Sequence, residues 1–209
     1  MSDIQETPKI SGAARFAARF KDYMTEDERW FLKKGYQLSK DGHRPVTRKD
    51  GLTRYFEHCR GACEIAIGEL GIKHNWRLLV AILMHDGPED TWLIDFRLIE
   101  RVFDETVRDW VKLVTKIEAN KKTYVRNLLN CNIPEVLIIK LCDRLHNLRT
   151  LGTTAQKFQK RQALETRAEY LALAEKLIEL LPDDLKWRGE LLRDSIEAIC
   201  HSYETEFNL

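Results

Sequence analysis

Apolar positions along this chain recur at intervals of three and four residues almost from end to end, the spacing of helices that bury one face. Phe16, Phe20 and Tyr23 follow it within Ser11 to Met24, and Thr25 with Glu28 reads as a capping box opening the next helix. A helix over Tyr55 to Leu70 is predicted to close at Gly71. Val107, Trp110, Val111, Val114 and Ile117 form one stripe; Leu171, Ala174, Leu177 and Leu181 form another that stops at Pro182. Trp187 to Ile199 supplies a last helix. Few alternating patterns compete, and there is no internal repeat or low-complexity segment. The predicted fold class is all-α, a helical bundle of a single domain. Its expected parts are an N-terminal helical arm at 1–25, a main body at 26–175 and a C-terminal helical extension of the same domain at 176–209.

Two stretches are apolar all round rather than striped. Leu78 to Met84 runs directly into His85-Asp86, and Val136 to Leu141, broken only by Lys140, runs into Cys142-Asp143-Arg144. Charged groups at the end of a buried run need partners. His58 alone reads as a hydrogen-bonded structural histidine, but with His85, Asp86 and Asp143 it completes two imidazoles and two carboxylates, a set suited to one borderline-hard divalent cation. Four protein ligands leave positions open on a six-coordinate ion, where water loses part of its proton affinity and becomes a nucleophile at neutral pH. Glu89 follows His85 by four residues, so on a continuing helix it faces the same way and is placed to orient or deprotonate that water, with Asp90 beside it. Asn147, one turn after Asp143, shares the face of Asp143. By themselves Arg48 and Lys49 read as a solvated loop cluster, and Lys121 and Lys122 as exposed.

The segments Arg48-Lys49-Asp50-Gly51 with Tyr55-Phe56-Glu57-His58, then His85-Asp86-Gly87-Pro88-Glu89-Asp90-Thr91, then Lys140 through Thr150 resemble the HD-type hydrolase domain of the RelA/SpoT alarmone enzymes. The resemblance runs from about Glu26 to Glu175 in order and approximate spacing. It implies an HD-superfamily helical bundle with a Mn²⁺ site, other divalent cations being possible, formed by His58, His85, Asp86 and Asp143. It implies further that Glu89 and Asp90 handle the attacking water and leaving group, and that Arg48, Lys49, Asn147 and Thr150 bind the nucleotide. The implied reaction is removal of the 3′-pyrophosphate of ppGpp or pppGpp, as in the stringent response, by a small stand-alone hydrolase. Phosphate chemistry agrees, because a polyanion needs positive charge near its reacting centre, which Arg48, Lys49 and Arg144 are expected to add. Arg48 can also stack its flat guanidinium on a purine. Gly87-Pro88 stands where the family has an apolar pair, so the turn presenting Glu89 is expected to differ in shape.

Composition narrows the alternatives. The 209 residues carry 34 Lys and Arg against 33 Asp and Glu, a balance that offers no global attraction for nucleic acid. No apolar run approaches the roughly 18 residues that suggest a membrane span. Five cysteines without metal-ligand spacing, and an N-terminus without a secretory apolar core, point to the cytoplasm. Cys59 and Cys63 read as small packing residues. The expected partner is a small nucleotide, with a cognate alarmone synthetase in the same cell as a functional counterpart; the oligomeric state is open. Also open are an adenine alarmone (ppApp) or the NADPH 2′-phosphate as substrate of the same metal site, and a noncatalytic alarmone-binding module.

Overall fold

The computed structural model describes residues 11–208, so residues 1–10 of the expected N-terminal arm lie outside the described residues. All regular elements among the described residues are helical, and one antiparallel bridge joins Thr47 to Arg54. In chain order the α-helices are α1 (Gly12–Ala18), α2 (Glu26–Gly42), α3 (Phe56–Gly68), α4 (Trp76–Met84), α5 (Gly87–Asp90), α6 (Phe96–Val102), α7 (Glu105–Val114), α8 (Tyr124–Leu129), α9 (Pro134–Arg149), α10 (Gln156–Glu165), α11 (Leu171–Leu180) and α12 (Lys186–Phe207).

The two sequences that are apolar all round form the centre, as helices without a solvent face must. Every residue of α4 except Arg77 is buried, and α4 packs on α2, α3, α7 and α9. In α9, Val136 through Ile139 and Leu141 through Leu145 are buried, and this helix meets α3, α4, α7, α11 and α12. Each leucine or isoleucine so removed from water contributes about 1.5–3 kcal/mol. The His85-Asp86 and Asp143 positions are therefore anchored by the two most deeply packed helices.

Local signals act where the sequence places them. Thr25 and Glu28 exchange both capping-box hydrogen bonds, and Gly71 takes φ 63° just beyond α3, a conformation that costs glycine nothing. Three elements differ from expectation. The first helix is regular only to Ala18; the amides of Arg19, Phe20 and Lys21 then bond three residues back, a tightening that seats Phe16 and Phe20 in the core and leaves Tyr23 39% exposed. The α7 stripe ends at Val114, because the Thr115 backbone turns extended, and Ile117 is surface-exposed. The last helix runs to Phe207, well past Ile199. A single π turn over Thr166–Tyr170 joins α10 to α11.

Candidate metal centre

His58 comes from the first turn of α3, His85 caps the C-terminal end of α4, Asp86 precedes α5, and Asp143 lies within α9. One donor atom from each lies within 4.8 Å of all the others. His58 Nε2 is 3.1 Å from Asp143 Oδ1 and 3.4 Å from Asp86 Oδ2; His85 Nε2 is 3.1 Å from Asp86 Oδ2 and 3.6 Å from Asp143 Oδ1. Both Nε2 atoms are buried without a hydrogen-bond partner. Orphaned buried nitrogens are costly, and two of them converging on two carboxylate oxygens fit a divalent cation held between them. His85 supports the same reading: its Nδ1 lies 2.7 Å from the Ile82 carbonyl, which accepts the Nδ1 proton and leaves the Nε2 lone pair free.

The surrounding groups fix these ligands. Lys140 Nζ donates to Asp143 Oδ2 at 2.7 Å, and Asn147 Nδ2 donates to Asp143 Oδ1 at 2.5 Å. The Tyr55 hydroxyl donates to Asp86 Oδ2 at 2.8 Å, and its ring stacks on His43. Burial works against charge here, but the carboxylates of Asp86 and Asp143 raise His85 well above the ordinary imidazole value. Against the same burial, His85 and His58 hold Asp86 well below the carboxylate range, and Lys140 with both histidines does the same for Asp143. A cation held between these groups would take the place of the proton that the two carboxylates favour on His85.

Beside the cluster opens a cavity of about 820 Å³ whose lining includes Arg48, Lys49, Asp90, Asn147 and Thr150. Arg48 reaches across it to donate to Asn147 Oδ1 at 2.9 Å and Thr150 Oγ1 at 3.2 Å. Lys49 Nζ sits 3.5 Å from the centre of the Phe158 ring. The four polar residues of the expected nucleotide set thus line the same cavity.

Glu89 and Asp90 part company. The α4 helix ends at Met84 and α5 begins at Gly87, so Glu89 does not lie on a continuous helix with His85. Glu89 Oε1 instead accepts from the Lys116 amide at 2.6 Å, while Asp90 lines the cavity. Loss of hydration raises both carboxyl groups above their usual range, opposed by the Lys116 amide at Glu89 and by the Tyr55 hydroxyl at Asp90. Pro88 falls in the first turn of α5, where no amide donor is needed. Arg144 is a correction to the expected positive charge at the site: it is buried against the Tyr170 ring and donates to Gln162 and Thr166, tying α9 to α10 and the π turn. Lys121 and Lys122 are exposed, as expected.

Sequence reading missed Tyr55, His146 and the Lys140 contact. Lys140 was visible as the one charge in an apolar run, whereas nothing in the sequence brings His146 of α9 against α3.

A family model described as an HD domain matches residues 36–178. The bifunctional (p)ppGpp synthase/hydrolase SpoT of Escherichia coli is 31% identical over 166 residues, 74% of this chain and 23% of that protein. A GTP pyrophosphokinase of Streptomyces antibioticus is 36% identical over 175 residues, 79% of this chain and 20% of that protein. The chain therefore spans about a quarter or less of these curated relatives. A solved structure, described as a metazoan ortholog of SpoT that hydrolyzes ppGpp and plays a role in starvation responses, superposes with a TM-score of 0.64 at 27% identity, covering 86% of this chain and 97% of that one.

Proposed function

This chain belongs to the HD-domain family, and from that premise we propose that it is a metal-dependent 3′-pyrophosphohydrolase of guanosine alarmones, converting ppGpp or pppGpp to GDP or GTP and pyrophosphate. The observation that carries the reading is the pair of buried, unpartnered Nε2 atoms of His58 and His85 facing Asp86 and Asp143, with His58 also lining the cavity. The mixed imidazole and carboxylate set suits Mn²⁺. A divalent cation bound there supplies the positive charge that polarises a phosphoryl group and acidifies water.

The chain's own residues perform the rest. Asp90 faces the cavity and accepts a proton from water; Glu89 holds the turn to Lys116 and shares in that proton handling. Arg48, fixed by Asn147 and Thr150, presents a flat cation to the purine, and Lys49 balances phosphate charge. We place the protein in the cytoplasm, where its counterpart is an alarmone synthetase whose product it removes. No helix among the described residues is long and apolar enough to cross a membrane.

Incubating purified, Mn²⁺-loaded protein with ppGpp should release GDP and pyrophosphate; turnover no faster than a metal-only control rejects the proposal. A guanidinium face accepts either purine, so the same assay is run with ppApp and NADPH. Comparable specificity constants for all three would overturn the guanine assignment, and ppGpp binding without turnover would identify a noncatalytic alarmone-binding module.

A further inference from the structure

His146 stands one helical turn from the chemistry and belongs to none of the roles assigned above. Its Nδ1 lies 2.9 Å from His58 Nδ1. Two ring nitrogens at that distance share one proton, so one donates and the other accepts. His58 directs its buried, unpartnered Nε2 at Asp86 and Asp143. An imidazole that offers a lone pair at Nε2 carries its proton at Nδ1. His146 Nδ1 must then be the acceptor, which obliges His146 to carry its own proton on Nε2. That nitrogen lies over Gly61, where any Cβ would collide with it, and both residues line the cavity. No protein acceptor among the described residues pairs with it.

We propose that His146 is a two-ended positioning residue: its Nδ1 fixes the His58 tautomer that leaves Nε2 free for a divalent cation, and its Nε2–H is a hydrogen-bond donor offered to the nucleotide in the cavity. Gly61 is the residue that makes room for it. The first half rests on the metal reading of the cluster, the second on the nucleotide reading of the cavity.

The two ends separate by substitution, because an asparagine amide occupies the place of Nδ1 and a glutamine amide the place of Nε2. His146→Asn, with its carbonyl accepting from His58, should keep Mn²⁺ affinity within about threefold of the parent protein by calorimetry without nucleotide. It should weaken equilibrium ppGpp binding and raise KM with kcat at saturating Mn²⁺ little changed. His146→Gln should do the reverse, losing on the order of tenfold or more in Mn²⁺ affinity, the usual effect of removing a partner behind a ligand, while holding KM at saturating metal. Gly61→Ala, which leaves His146 chemically intact but displaces it, should impair both. Circular dichroism checks that each variant is folded, and a variant that fails this check leaves the decision to the other two. Equal Mn²⁺ affinity in His146→Gln and the parent overturns the tautomer half; an unchanged ppGpp affinity and KM in His146→Asn overturns the donor half. If the parent protein binds no ppGpp, the proposed function and the donor half fall together, and the calorimetry alone still decides the metal half.

Discussion

Asp143 and Glu89 are both acids near one cluster, yet their surroundings divide their work. Asp143 is buried, bonded to Lys140 and Asn147, and aimed at both histidines, whereas Glu89 bonds the Lys116 amide at the surface. Asp143→Ala is therefore expected to lose bound metal and turnover together, and Glu89→Ala to keep metal but lose most turnover; metal analysis beside the hydrolysis assay checks this, and equal metal loss in both refutes the division. A pH profile tests Asp90. Dehydration raises its carboxyl group, and the Tyr55 hydroxyl resists that rise. A base must be deprotonated to act, so activity should fail on acidification at a higher pH than an ordinary carboxylate would dictate. Tyr55→Phe should move that acid limb higher still, measured as kcat against pH at saturating Mn²⁺. The ligands themselves were legible because the sequence writes a charge directly after an oily run. Tyr55 and His146 were not, since their partners are set by how the start of α3 meets Asp86 and how α3 crosses α9.

At the level of elements, the turn carrying Gly87-Pro88 is where sequence left most undecided. Its shape is explained by Ile94, which fills the space of two absent side chains: a Cβ at Gly42 would meet Ile94 Cδ1 at 2.6 Å, and one at Gly87 would meet Ile94 Cγ2 at 2.5 Å. Overpacking of this kind costs about 1–3 kcal/mol. Gly42→Ala and Gly87→Ala should each destabilise by that order in urea unfolding. Ile94→Val, which removes Cδ1 but keeps Cγ2, should restore much of the loss in the Gly42→Ala background and little in the Gly87→Ala background. Equal rescue would show that α2 and α5 do not grip this side chain as described. The capping box at Thr25 and the glycine stop at Gly71 were readable because each is a local motif; the early end of α1 and the turn at Thr115 depend on tertiary packing that spacing cannot report.

Across the whole molecule, the all-α architecture followed from periodicity, while the order of packing, with α4 and α9 at the centre, followed from which helices lack a polar side. That centre has a thermodynamic consequence. The candidate ligands sit on α3, on the α4–α5 junction and on α9, so a cation at their midpoint would lace together stretches that part company when the chain unfolds. The unfolded polypeptide offers no such converged site, and whatever binds only the native form shifts the equilibrium toward it, by about 2.7 kcal/mol at a hundredfold excess over Kd. Thermal melts should therefore climb with Mn²⁺ concentration and fall with chelator, and Asp143→Ala should flatten that dependence. A supply of metal would then set how firmly the chain stays folded as well as whether it works.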